Sequence, residues 1–202
     1  MVVATMSEEE LYNEVYKDLT NVFYYSDKKD NKFRRMVLKS TLFPVRSYCY
    51  YTSKLKNKWI VLFEARSKKE IGDDCRVTFV CVYNSSHGMH AVMLSSYNDK
   101  RIIITHTPHF FSRFAERCGI ELTGIDLIRR YFAINNSYAF DLSKIRDGEI
   151  FGSSEEGVAL GLISSSNNVF FKTYITYNML KGNQISTFAE TEKMRIEMHY
   201  AQ

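Results

Sequence analysis

The stretch Thr105-His106-Thr107-Pro108-His109-Phe110-Phe111-Ser112-Arg113-Phe114-Ala115-Glu116-Arg117-Cys118-Gly119 reads as the end of a β-strand running into a short helix. Thr107 suits the N-cap, and Pro108 suits the first helical position, where its missing N–H would be unpaired anyway. Gly119 supplies a left-handed residue to close the helix. At about 100° per residue, Phe110, Phe111, Phe114, Ala115 and Cys118 fall on one half of the helix. His109, Ser112, Arg113, Glu116 and Arg117 fall on the other. The apolar half is core, and the polar half gathers an imidazole, a carboxylate and two guanidiniums whose tips can meet. Two guanidiniums beside an imidazole suit a phosphate-bearing substrate, since Arg grips phosphate oxygens bidentately and His moves protons near neutral pH. The plainer alternative is a solvated helix face laced with salt bridges.

Working towards the N-terminus, Arg46 to His106 is a series of short aromatic and β-branched runs: Ser47–Thr52, Trp59–Ala65, Arg76–Tyr83, Met89–Ser95 and Arg101–Thr105. Polar turns separate them, which predicts a five-strand antiparallel meander over residues 46–106. Val77, Phe79, Cys81 and Tyr83 alternate on one face, and Val80 and Val82 make the other face apolar too, so this sheet is expected to be covered on both sides. Before it, residues 1–45 read as a helical lead. Ser7 with Glu10 forms a capping box ahead of Leu11, Val15, Leu19, Val22 and Phe23, predicting a helix over 7–25. A loop over Ser26 to Asn31 and a second short helix around Phe33, Met36 and Val37 follow, the latter carrying Lys32, Arg34, Arg35 and Lys39 outward. That basic cluster can touch phosphate or simply be solvated.

Towards the C-terminus, Thr123 with Asp126 starts a second helix of a two-helix segment spanning 107–134. A long polar connection runs from Asn135 to Ser154. Val158–Ile163 and Val169–Tyr177, joined by Ser164 to Asn168, predict a β-hairpin within 151–178, and 186–202 a closing helix of mixed charge. On the last strand Lys172, Tyr174 and Thr176 alternate away from Phe171, Thr173 and Ile175. The whole reads as a single α+β domain over 1–202, an antiparallel β-sheet (meander plus C-terminal hairpin) flanked by helices, with N-terminal helices.

Fourteen Tyr and fourteen Phe, against only two Pro and nine Gly in 202 residues, favour such a compact β-rich domain over disorder. The net charge of +4 permits a nucleic-acid partner without requiring one. Cys49, Cys75, Cys81 and Cys118 form no CxxC pair, which points to free thiols in a reducing cytoplasm rather than a disulfide framework. No basic, apolar leader opens the chain and no run approaches the ~20 apolar residues of a membrane span, so the expectation is a cytoplasmic protein with no membrane partner.

The pattern His109-x3-Arg113-x2-Glu116-Arg117-x-Gly119-Ile120, followed by a second helix and a C-terminal hairpin with Thr173-Tyr174-Ile175, resembles a set of small RelE/BrnT-like proteins related to toxin ribonucleases. The similarity covers about residues 101–178. It implies a toxin-like or RNA-processing ribonuclease working without metal or cofactor, with RNA as substrate and a protein antitoxin as partner. Such cleavage needs a base for the ribose 2′-OH, a cation for charge on the phosphorane and an acid for the leaving 5′-oxygen. In that scheme His109 is the base or acid and Arg113 and Arg117 clamp the phosphate. Glu116 is the partner base or orients an Arg, Tyr174 assists, and Lys172 and His106 contact substrate.

Two rivals stand beside it. His87-x2-His90 and His106-x2-His109 have a spacing seen in metal sites, but no acidic ligand of standard spacing accompanies them. A non-enzymatic regulatory module binding nucleic acid or protein is the other alternative. In Tyr48-Cys49-Tyr50-Tyr51-Thr52-Ser53-Lys54, aromatics interleave with Lys in a way that suits stacking on bases, or else the rings are strand core.

Overall fold

The computed structural model describes residues 1–71, 75–97, 100–140, 148–164 and 168–200. The chain divides into two compact units, Met1–Ser85 and Ser86–Gln202. Parts of the expected 135–154 connection and of the 164–168 turn, and the last two residues of the expected C-terminal helix, lie outside the described residues.

The first unit is one long helix on a three-stranded sheet. Helix α1 runs from Glu8 to Lys39, and its start is the capping box read from the sequence: the Ser7 hydroxyl accepts from the Glu10 N–H at 3.2 Å, and Glu10 accepts from the Ser7 N–H at 2.8 Å. The loop expected at Ser26–Asn31 is instead continuous helix. The reason is that the buried positions Leu11, Val15, Asp18, Val22, Ser26, Phe33 and Val37 keep helical spacing through it, with no Gly or Pro to interrupt them. Ser26 bonds back to the Phe23 carbonyl at 2.8 Å, so its polarity is satisfied within the helix.

Strands β1 (Val45–Thr52), β2 (Lys58–Ala65) and β3 (Arg76–Ser85) form the antiparallel sheet, with β2 in the middle. Phe23 meets Phe79 edge-on at 4.8 Å, Tyr25 stacks on Tyr51 at 4.1 Å, and Phe33 lies 5.4 Å from Phe63. Both faces of β2 are buried, Trp59 and Val61 on the helix side and Ile60 and Leu62 on the other, as the two-sided apolar pattern predicts. At the centre of the helix–sheet contact sits buried Asp18, which accepts from Trp59 Nε1 at 2.9 Å, Asn57 Nδ2 at 3.0 Å and Asn21 Nδ2 at 3.1 Å. Burial pushes its carboxyl upward, but the hydrogen bonds from Ser53, Trp59, Asn57 and Asn21 outweigh that and hold it below the usual value.

The second unit has six strands in the order β4-β5-β9-β8-β7-β6. These are β4 (Gly88–Tyr97), β5 (Lys100–His106), β6 (Ala139–Phe140), β7 (Glu149–Ser153), β8 (Gly157–Ile163) and β9 (Val169–Thr176). Helices α2 (Pro108–Cys118) and α3 (Gly124–Ile134) come between β5 and β6, and α4 (Asn183–Tyr200) follows β9. Two features depart from the expected meander and hairpin. β9 joins β5 in parallel, and β6 and β7 extend the sheet beyond β8, within a connection read as polar loop.

Helix α2 is bounded as read: the Thr107 hydroxyl accepts from the Phe110 N–H, Pro108 opens the helix, and Gly119 ends it at φ 62°. Thr123 holds the N-cap position of α3 without a side-chain cap bond. On the hairpin, Leu160 pairs with Thr173 but Gly161 pairs with Phe171, so Lys172 is an extra, bulged residue. A Cβ on Gly161 would lie 2.7 Å from the Phe170 carbonyl carbon and 2.8 Å from Phe171 Cα. Only glycine permits that approach.

Asp18→Ala removes the acceptor of two buried donors, Trp59 Nε1 and Asn57 Nδ2. It is expected to lower unfolding free energy by about 3 kcal/mol in urea titrations, with Asp18→Asn losing less. A loss below about 1 kcal/mol would show that α1 is held by apolar packing alone.

Candidate functional site

The α2 half-faces divide as the helical periodicity predicts. Phe110, Phe111 and Phe114 are buried, while His109, Ser112 and Glu116 are exposed. What the fold does not do is bring the seven candidate residues to one place. His109 makes no hydrogen bond or ion pair among the described residues. Arg113 Nη1 donates to Glu116 Oε2 at 2.6 Å with both side chains well exposed, the surface salt bridge of the plainer reading and worth little. Arg117 turns away and donates from Nη1 to the main-chain carbonyl of Tyr174, tying the helix to β9.

The bulge decides the fate of the last strand. Because Lys172 is the extra residue, Phe171 and Tyr174 lie on the same face, towards α2, and the expected polar face of Lys172, Tyr174 and Thr176 does not form. Lys172 alone is exposed. Tyr174 is fully buried, with ring centroids of Phe114 at 5.1 Å, Phe110 at 5.7 Å and Tyr131 at 6.0 Å. Among the described residues its hydroxyl makes no hydrogen bond of ordinary geometry, and burial drives its pKa far up, so it holds its proton.

His106 is enclosed as completely. Rings of Phe110, Phe111, Tyr131, Phe132, Tyr138 and Phe171 surround it with centroids 5.0 to 6.0 Å away. Nε2 bonds the Tyr138 hydroxyl at 2.8 Å, and that hydroxyl bonds Tyr131 in turn. Burial pulls the imidazole pKa down to about 3, opposed weakly by the main chain of Ala91 across on β4, which is not placed to bond Nδ1. His106 is therefore a neutral, fully enclosed core residue, where the sequence reading has it meeting substrate. The groove between α2 and α3, about 290 Å³, is lined by Met89, Pro108, Phe111, Ala115, Leu122 and Leu127 among others and contains no ionisable group.

No three His, Cys, Asp or Glu side chains gather as a metal site among the described residues, and the four cysteines are free. Two polar clusters went unread. Glu156 receives Arg130 at 2.6 and 3.1 Å and Asn135 at 2.7 Å, fastening α3 to the β7–β8 turn. Ser153, Tyr177 and Arg195 converge on Glu192 at 2.5, 2.7 and 2.7 Å, and buried Arg195 reaches Glu155 at 2.8 Å, fastening α4. Burial works to raise the Glu192 carboxyl, but Arg195, Ser153 and Tyr177 together hold it below the usual value. Their charged groups pair with one another across elements, which marks them as joints of the fold. Only the i, i+3 pair Glu192/Arg195 was visible in sequence.

A different surface carries the charge. Residues 1–85 hold fifteen Lys and Arg against eleven Asp and Glu, whereas residues 86–202 hold twelve of each, so the whole net charge of +4 belongs to the first unit. Within residues 28–58 there are ten cations, Lys28, Lys29, Lys32, Arg34, Arg35, Lys39, Arg46, Lys54, Lys56 and Lys58, against one anion, Asp30. All ten are exposed. Among the described residues only Arg46 is ion-paired, to Glu64 at 2.7 Å. Lys28 and Lys29 lie over the rings of Tyr24 and Tyr25 at 4.2 and 5.2 Å. On β1 the alternation turns Tyr51 inward against Tyr25 and leaves Tyr48 and Tyr50 exposed, 5.6 Å apart.

No protein-family model matches the chain, nor does any curated protein or solved structure. The RelE/BrnT-like resemblance thus rests on its motif alone.

The His106 environment has a pH signature. An unfolded chain protonates this histidine near 6.5, whereas the folded one resists down to about 3. Its stabilising contribution is therefore complete above pH 6.5 and is lost progressively as pH falls towards 3. Melting temperature is expected to drop between pH 7 and pH 5, above the range of the carboxylates, and to drop less in His106→Phe. His90, half-buried and also depressed, remains as a smaller contribution in the variant. Equal slopes for the two proteins would mean that His106 is accessible to protons.

Proposed function

We propose that this protein is a non-enzymatic nucleic-acid-binding module that contacts phosphate through the exposed surface of residues 28–58. The carrying observation is nine Lys and Arg side chains in residues 28–58, exposed and without ion-pair partners among the described residues, in a stretch with a single acidic residue. Ordinary solvated faces mix the two signs, as the α2 face does with Arg113 and Glu116. Concentrated cations on one segment are the electrostatic footprint of a polyanion site, where binding releases condensed counterions.

The ribonuclease reading asks for convergence of base, cation and acid at one phosphate. Of its residues, His109 and Arg113 remain on the surface, with Glu116 neutralising Arg113. His106 and Tyr174 are enclosed, and Arg117 holds a carbonyl. An antitoxin partner is required only on that reading.

Fluorescence anisotropy with a labelled RNA or DNA 20-mer over a salt series tests the proposal. The expected result is a linear fall of log affinity with log salt. Arg34→Glu/Arg35→Glu is expected to weaken binding at least about tenfold and to flatten that slope by up to about 2, while the RNA stays intact. Absence of binding at low salt, or binding indifferent to these substitutions, would overturn it. RNA cleavage abolished by His109→Ala would replace it with the ribonuclease reading.

A further inference from the structure

Resting on that reading, we infer that the outward face of β1 is a stacking platform for unpaired bases, so that the nucleic acid recognised is single-stranded. Phosphate attraction alone does not distinguish strands from duplexes, because both present phosphates. Base stacking does, because a base inside a duplex already has both faces covered.

Tyr48 and Tyr50 stand two residues apart on one face of β1 and are 48% and 43% exposed. Their ring centroids are 5.6 Å apart and their planes inclined at 64°, two separate aromatic surfaces rather than one self-stacked pair. Across on β2 their partners are Leu62 and Ile60, both buried, so the rings stand on a rigid apolar floor. The same alternation exposes Arg46 and Thr52 on either side of them.

Charge complementarity selects the occupant. Residues 44–58 contain Arg46, Lys54, Lys56 and Lys58 and no Asp or Glu. The nearest cross-strand carboxylate, Glu64, is taken up by Arg46 at 2.7 Å and Arg66 at 3.5 Å. Aromatic faces set among cations with no anion between them suit a chain that alternates flat bases with phosphates. An acidic peptide would satisfy the cations but leave the rings without matching surfaces.

The test compares wild type, Tyr48→Ala/Tyr50→Ala and Tyr48→Phe/Tyr50→Phe in anisotropy titrations with a labelled 12-mer oligouridylate and a 12-base-pair duplex at one salt concentration. Wild type is expected to favour the single strand about tenfold or more. The alanine pair is expected to lose that preference, and the phenylalanine pair to keep it, with duplex affinity alike in all three. If the alanine pair proves unfolded by circular dichroism, Tyr48→Leu/Tyr50→Leu, which keeps the floor covered, carries the same expectation. Equal wild-type affinity for strand and duplex, or a preference that survives loss of both rings, would overturn the inference and leave the phosphate-binding proposal standing. No binding to either probe would overturn both.

Discussion

The close approach of β8 to β9 at Gly161 is the constraint on which the second unit depends. A side chain there would collide with the main chain of Phe170 and Phe171, so the strands come together only around a glycine, and the register slips by one residue at Lys172. The slip turns Phe171 and Tyr174 to the same side. Both then fill the space under α2, His106 is shut among six rings, and the Tyr174 carbonyl is presented to Arg117. Of the residues that in sequence look like an acid–base constellation, His106 and Tyr174 are thereby contents of an aromatic core and Arg117 fastens the helix over it, while His109, Arg113, Glu116 and Lys172 stay outside.

In the first unit the corresponding interaction is Asp18 with Trp59 and Asn57. A carboxylate buried at the helix–sheet contact has to be fully hydrogen-bonded, and these donors from β2 and the turn before it do so. With α1 held by Asp18, Tyr25, Phe33 and Val37, most of its exposed positions from Lys28 onward are cationic. The uninterrupted helix carries Lys28, Lys29, Lys32, Arg34, Arg35 and Lys39 on one element. A loop at Ser26–Asn31 would have separated Lys28 and Lys29 from Arg34 and Arg35.

Much of this was legible beforehand, and for identifiable reasons. The Ser7/Glu10 box, the Thr107-Pro108 start and the Gly119 stop are local devices whose physics lies within a few residues, and each appears as read. The strands follow from period-two alternation. What was illegible depends on partners remote in sequence. Nothing in Phe171-Lys172-Thr173-Tyr174 announces a bulge, because the cause is a glycine on the neighbouring strand. The parallel pairing of β5 with β9 joins segments some sixty residues apart, and β6 and β7 are short strands defined by their neighbours. The continuity of α1 was hidden by polar residues that lie on its wet face. The candidate site suffered most, since strict alternation assigned Tyr174 to a surface and gave no hint that His106 is enclosed. Conversely, for Tyr48, Tyr50 and Tyr51 the sequence leaves base stacking and strand core both open, and only solvent exposure separates Tyr48 and Tyr50 from Tyr51.

The central claim is that residues 28–58, and not the α2 face, meet the ligand. Backbone amide chemical shifts recorded while a short RNA oligonucleotide is titrated into isotope-labelled protein test it most directly. The expected result is perturbation concentrated in the second half of α1, along β1 and at the β1–β2 turn, with residues 109–117 unmoved. Shifts concentrated at His109, Arg113 and Glu116 with residues 28–58 silent would contradict it.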